Sequence, residues 1–280
     1  MSGNFPSSGF WLTGKYGNEI IDRVFEEVRA SMRQERIFLA NACGDTLSGV
    51  LHHPLAKPNG AVLLCHGMES DKNSEKLIFL GKALAEKGII SLRFDFRYVG
   101  ESSGKFEDIT YSGEVDDLRA AYAFMQSRQP GKIAIFGSSM GGTVALLFTA
   151  QAPTVAALVT LASPLHPENF PKRILTSAQI QQWRDRGFTI HNGQRLNVSL
   201  LADLEKIDVP ASARKILCPV LILHGDLDAV VPVEEAYELD SCLHQSSVSI
   251  LPSADHRFSD PVLMQRALAE ALDWLTAHVQ

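Results

Sequence analysis

At 280 residues the chain has room for one large α/β domain or two small ones, and its 45% hydrophobic and 21% charged residues are the composition of a globular protein. A formal net charge of −6 lacks the basic excess of a nucleic-acid binder and argues against that class. Four cysteines (Cys43, Cys65, Cys218, Cys242) without C-x-x-C spacing suggest neither a zinc knuckle nor a redox pair, and Cys65 and Cys218 read as reduced, buried fillers.

Met1–Gly17 has no basic segment followed by a long apolar core, so no secretory signal is expected and the protein reads as cytoplasmic. The segment 1–34 contains an amphipathic stretch (Ile20, Ile21, Val24, Phe25, Val28) and is expected to be an extension packed on the domain surface or a partly disordered arm. A contribution to a pocket mouth or to a homodimer contact is the alternative.

The domain proper is expected over residues 35–280. Arg36–Ala40 and Leu47–His53 alternate around Gly44-Asp45, the pattern of a hairpin. Ala61–Cys65 is a short continuous apolar run, as in a buried parallel strand. Glu75–Lys87 places Leu77, Leu80 and Leu84 at helical spacing, with Gly88 as the stop. Further strands are predicted at Ile89–Phe94, Lys132–Phe136, Val155–Leu161, Val220–His224 and Ser247–Leu251. Further helices are predicted at Gly113–Arg128, Ser139–Gln151, Val233–Ser241 and Asp260–His278. Strand–helix alternation of this kind implies a mostly parallel sheet of about eight strands with helices on both faces.

Two stretches need a separate reading. Ile133–Pro167 contains no Asp, Glu, Lys or Arg, but its interior glycines and Pro153 argue for strand, buried helix and strand rather than a membrane span. Residues 163–217 interrupt the alternation with helix-like pieces at Ser177–Arg186 and Leu200–Lys206, joined by Gly187 and Asn192-Gly193. An insertion there would lie above the sheet end and act as a lid.

The chemistry concentrates at strand ends, where open α/β sheets bind ligands. Gly137-Ser138-Ser139-Met140-Gly141 lies between an apolar strand and a small-residue helix, the context of a nucleophile elbow. A serine nucleophile needs a base, and the base needs an orienting acid. Asp226 and Asp228 follow one strand and His256 follows the next, so Ser139, an Asp and His256 occur in the chain order of an α/β-hydrolase triad. A lone loop histidine is usually a solvated polar residue, and either aspartate could be a turn or helix cap. The oxyanion needs two backbone N–H donors, and Met140 and Met68 are the candidates. His66, directly after a strand, reads as a structural hydrogen-bonding residue. The Asp95–Ser102 loop reads as a turn held by an Asp–Arg pair. Phosphate-loop and dinucleotide patterns are absent, and no clustered His, Cys and carboxylates suggest a metal, so no cofactor is expected.

Taken together, these residues resemble the α/β-hydrolase superfamily from about Glu35 onward, and within it the feruloyl/cinnamoyl esterase and monoacylglycerol-lipase-like group. The matching pieces are His66-Gly67-Met68, Phe94–Arg97 with Gly100–Gly104, Gly137–Gly141, His224–Asp228 with Val231-Pro232, and Asp255-His256. The resemblance implies Asp228, the second carboxylate of its motif, as the acid. It also implies a small-molecule ester as substrate and a lid that shapes the acyl or aryl pocket. Ser138 and Met140 stand where many relatives carry His and Gln, and Tyr98-Val99 replaces a more usual Gly-His, departures that bear on aromatic-ester specificity. A serine peptidase or thioesterase of the same fold is the alternative, and a non-catalytic ligand-binding member the other.

Overall fold

A computed structural model of the protein describes residues 33–129 and 131–280. The amphipathic stretch at Ile20–Val28 and the reading placed on it lie outside the described residues.

Eight strands form one sheet: β1 (Arg33–Ala40), β2 (Thr46–His53), β3 (Ala61–Cys65), β4 (Ile90–Phe94), β5 (Ile133–Ser138), β6 (Val155–Leu161), β9 (Val220–Gly225) and β10 (Ser246–Leu251). Their spatial order is β1-β2-β4-β3-β5-β6-β9-β10. β1 and β2 form the expected hairpin, β2 joins β4 antiparallel, and every other pair is parallel. β1 begins at Arg33, so the last two residues of the segment assigned by sequence to the extension belong to the sheet.

The period of two within each strand divides the interior into two layers. In β3, Ala61, Leu63 and Cys65 face one layer, while Val62 and Leu64 face the other. Ile133 and Ile135 alternate in the same way with Ala134 and Phe136 in β5. Helices α1 (Glu75–Glu86) and α9 (Pro261–Val279) cover the second layer through Leu77, Leu80, Leu84, Leu268 and Leu275. Helices α2 (Tyr111–Arg128), α3 (Met140–Thr149) and α8 (Glu234–Cys242) cover the first. All ten residues of α3 are buried, which explains the long uncharged stretch around it. Among the described residues no helix is long and apolar enough to cross a membrane.

The insertion contains four short helices, α4 (Phe170–Ile174), α5 (Ser177–Arg186), α6 (Ser199–Leu204) and α7 (Val209–Ala213). Between α5 and α6 lies an unexpected hairpin of β7 (Phe188–His191) and β8 (Gln194–Asn197). Its two-residue turn, Asn192-Gly193, has φ of 48° and 77°, the left-handed pair that a tight hairpin requires.

One polar cluster lies within the sheet region. Arg93 Nε–H donates to Nε2 of the fully buried His52 at 2.9 Å, which fixes that imidazole as neutral. Helix α1 closes over it so tightly that a Cβ on Gly81 would sit 2.7 Å from the ring. Burial, and then the charges of Arg93 and Lys82, lower the His52 pKa to about 4. Between that value and the unfolded 6.5, the unfolded chain binds a proton that the folded chain does not. Stability from this residue is therefore complete above pH 6.5 and falls by about 3 kcal/mol as the pH drops to 4. Urea unfolding at pH 7 and 4.5 should show His52→Gln, which keeps an acceptor for Arg93, losing less stability on acidification than wild type. Equal losses would contradict the assignment.

Candidate active site

Each sequence-selected residue sits beyond the carboxyl end of a parallel strand. Ser139 follows β5, Met68 follows β3, Asp228 follows β9 and His256 follows β10. The turn after β5 is tight because its neighbours press on it. A Cβ on Gly137 would lie 2.4 Å from the Gly141 carbonyl oxygen, and one on Gly141 would lie 2.2 Å from that of His66. Ser139 itself has φ of 52° and ψ of −125°, a conformation that L-residues adopt only under constraint. It is the N-cap of α3, so the positive end of that helix lies at the serine.

Ser139 Oγ lies 3.1 Å from His256 Nε2, and His256 Nδ1 lies 2.8 Å from Asp228 Oδ2. The three side chains thus form one hydrogen-bonded series although 117 and 28 residues separate its successive pairs. Asp228 rather than Asp226 completes it. Asp226 instead accepts a hydrogen bond from the Ser253 N–H at 2.6 Å, bracing the histidine loop.

Asp228 is buried, and its carboxylate is surrounded by donors. Oδ1 accepts from the N–H groups of Val230 and Val231, both at 2.8 Å. Oδ2 faces His256 and also Nε2 of the buried His224 at 3.2 Å. Burial raises the Asp228 pKa, but hydrogen bonds from His224, His256 and Val231 and the charge of His256 outweigh it and hold the group well below the usual carboxylate range. It therefore stays ionised throughout the neutral and mildly acidic range. His224 had no role in the sequence reading; its position four residues before the acid at a strand end was the available signal. Its Nε2 also lies 2.9 Å from the Val231 carbonyl, so it pins the acid loop from beneath.

The loop after β3 leans on the serine. A Cβ on Gly67 would approach Ser139 Cβ to 3.2 Å, a tight contact, and Oγ to 3.8 Å, an ordinary one. Met68 and Met140 both line the cavity that contains Ser139. Met140 is the first residue of α3, whose leading N–H groups have no intrahelical acceptor. His66 is structural, as its position suggested. Its Nδ1–H donates to the Gly67 carbonyl at 2.8 Å and its Nε2 accepts from the Phe96 N–H at 3.2 Å. Burial lowers its pKa and keeps it neutral.

The expected Asp95–Arg97 pair is not formed. Asp95 Oδ1 accepts from the Lys72 N–H at 2.8 Å, and its Oδ2 pairs with the buried Lys72 ammonium. Arg97 turns to Asp117 on α2, with Nε 2.8 Å from Oδ1. Each charge found a fixed partner on another element, which a flexible neighbour two residues away cannot match. The Lys72–Asp95 pair and the His66–Phe96 bond fasten the Met68 loop to the end of β4 at two points.

The cavity has a volume of about 650 Å³. The insertion supplies Phe170, Ile174, His191 and Leu200 to its wall. Asn192, at the tip of the β7–β8 hairpin, donates to Glu69 at 2.8 Å and so ties the insertion to the Met68 loop. Among the described residues no group of three or more His, Cys, Asp or Glu is arranged to hold a metal.

A family profile described as serine aminopeptidase, S33, matches residues 56–209, just over half of the chain. The chain belongs to that family of α/β-hydrolases. It is a hydrolase, and the architecture is the α/β-hydrolase fold, as the sequence predicted. The profile match takes in the Met68 loop and the Ser139 elbow but ends before Asp228 and His256, which geometry alone joins to this S33 member. Est1E from Butyrivibrio proteoclasticus, solved with ferulic acid bound, is 21% identical with a TM-score of 0.78, over 86% of this chain and 98% of that one. The esterase domain of a Rhodothermus marinus protein is 24% identical with a TM-score of 0.69, over 89% and 100%. The Pyrococcus furiosus esterase PF2001 is 19% identical with a TM-score of 0.70, over 90% and 94%. At these identities the likeness is one of fold. An uncharacterized Saccharomyces cerevisiae protein, YDL057W, is 38% identical over 77 residues, which are 26% of this chain and about a quarter of that protein's length.

Proposed function

We propose that the protein is a carboxylic ester hydrolase acting through Ser139, His256 and Asp228. The carrying observation is the hydrogen-bonded series of 3.1 Å and 2.8 Å that runs from the serine through both imidazole nitrogens to an ionised carboxylate. In this reading Asp228 accepts the Nδ1–H of His256, which leaves Nε2 unprotonated and facing the Ser139 hydroxyl. Ser139 Oγ attacks the ester carbonyl as its proton passes to Nε2. The oxyanion so formed takes hydrogen bonds from the N–H of Met140, at the N-terminus of α3, and the N–H of Met68, in the loop after β3. Collapse expels the alcohol, which leaves with the proton from Nε2, and an acyl-enzyme remains. Water then attacks the acyl carbonyl, again deprotonated by His256, and the carboxylic acid is released with Ser139 restored.

Esters are preferred over peptides because the cavity wall contributed by the insertion is largely apolar, and the insertion acts as a lid that bounds the acyl group. The family description and the shared acyl-transfer chemistry keep a peptidase or thioesterase as the second reading. A parallel assay on 4-nitrophenyl acyl esters of increasing chain length, an acyl thioester and aminoacyl 4-nitroanilides tests the assignment. The expected result is kcat/KM for the best ester at least a hundredfold above the best anilide and thioester. The reverse order would overturn the choice of substrate class.

A further inference from the structure

Among the described residues three Lys or Arg side chains line the cavity: Lys76, Arg173 and Arg257. Two are matched by carboxylates. Arg173 pairs with the buried Glu235, and Arg257 Nη2 lies 3.5 Å from Glu69. Lys76 differs: among the described residues no carboxylate lies within 4 Å of its ammonium. Its one hydrogen bond among the described residues is to the carbonyl oxygen of Arg257, at 3.4 Å.

The position is unfavourable for a cation in three ways. Lys76 is half-buried beside an apolar cavity, so its ammonium is partly stripped of water. It is the second residue of α1, where the positive end of the helix repels it. Arg257 adds a like charge from the histidine loop. Burial accordingly lowers the Lys76 pKa, Asp255 offsets this in part, and Arg257 lowers it further. The remaining acids at the mouth do not relieve it. Glu69 is engaged by Asn192 and Arg257, and Glu75 is exposed in the first turn of α1. A ligand carboxylate reaching this ammonium would supply the counter-charge that the described residues do not.

We propose that Lys76 is a specificity residue that receives the carboxylate of an anionic ester, so that the substrates are esters carrying a carboxylate on the acyl or the alcohol portion. The inference rests on the ester-hydrolase reading above and names the substrate class of that same site. The apolar part of the substrate lies against Met68, Met140, Phe170, Ile174, Leu200 and Phe258, which share the cavity with Lys76.

Two substrate pairs test the inference and separate the two portions. One pair is mono-4-nitrophenyl glutarate against 4-nitrophenyl hexanoate. The other is the butyrate ester of 4-hydroxybenzoate against that of 4-hydroxybenzamide. Wild type should prefer the anionic member of at least one pair by about tenfold in kcat/KM, the size of one charge-assisted hydrogen bond. Lys76→Met should bring that ratio close to one, and Lys76→Arg should keep most of it. The ratio is internal to each variant, so partial unfolding does not imitate the result. Wild type hydrolysing neutral esters without an anionic preference, or a preference surviving in Lys76→Met, would overturn this inference alone. Wild type hydrolysing none of the four esters would overturn the ester reading and this inference with it.

Discussion

Replacing Ser139 with alanine should lower kcat on a 4-nitrophenyl acyl ester by about 10⁶-fold while KM stays within a few-fold of wild type. The change removes one oxygen from a residue whose backbone is held by its surroundings, the Ser139 N–H donating to the Leu161 carbonyl at 2.8 Å. Cavity, cradle and helix end therefore persist, and with them binding and oxyanion stabilisation. What disappears is the covalent step, and with it the use of His256 as base. Loss of a nucleophile costs about as much as loss of a whole triad, because the three residues act as a unit. The residual rate, about 10³–10⁴ above uncatalysed hydrolysis, reports the binding and oxyanion contributions alone. A variant with kcat within tenfold of wild type would show that another residue attacks the carbonyl.

The second large effect is expected at Asp228. Asp228→Asn should lower kcat on the order of 10⁴-fold at neutral pH. All four groups around the carboxylate are N–H donors: Val230 and Val231 at one oxygen, His256 and His224 at the other. A carboxamide has one acceptor oxygen and one NH₂ donor, so one pair of donors must face another donor. The two backbone N–H groups cannot change, whereas an imidazole can move its proton. The amide oxygen therefore turns to Val230 and Val231, and the NH₂ confronts the histidines. His256 then carries its proton on Nε2 and points a donor at Ser139 instead of an acceptor. Kinetics with a thermal unfolding curve check this: the expected result is a severe kinetic loss with a folded protein. Wild-type kcat in folded Asp228→Asn would exclude the carboxylate as the orienting group.

The sequence carried the parts of this arrangement that depend on local pattern. Strands such as Ala61–Cys65 were visible because both of their faces are buried, which leaves an unbroken apolar run. Ser139, Asp228 and His256 were visible because each follows such a run, in an order the fold imposes. The β7–β8 hairpin was missed because its strands are only four residues long and lack a buried face of alternating apolar residues, although Asn192-Gly193 marked the turn. Partners separated by long stretches of chain were not legible at all. Asp95 was read with Arg97, its neighbour in sequence, whereas packing gave it Lys72 and gave Arg97 Asp117. The role of His224 is not legible in its motif, since only the folded loop brings it under Asp228. That no carboxylate among the described residues reaches Lys76 was equally hidden, because such an arrangement is a property of the assembled cavity.

The central claim is that Ser139 is the nucleophile activated by His256, and covalent trapping tests it most directly. The protein should be incubated with a fluorophosphonate, digested, and the adduct located by mass spectrometry. One phosphonyl group per chain is expected, on the oxygen of Ser139, with loss of ester hydrolysis in proportion to labelling and slow labelling in His256→Ala. An adduct on a different residue, or full hydrolysis with Ser139 completely modified, would contradict it.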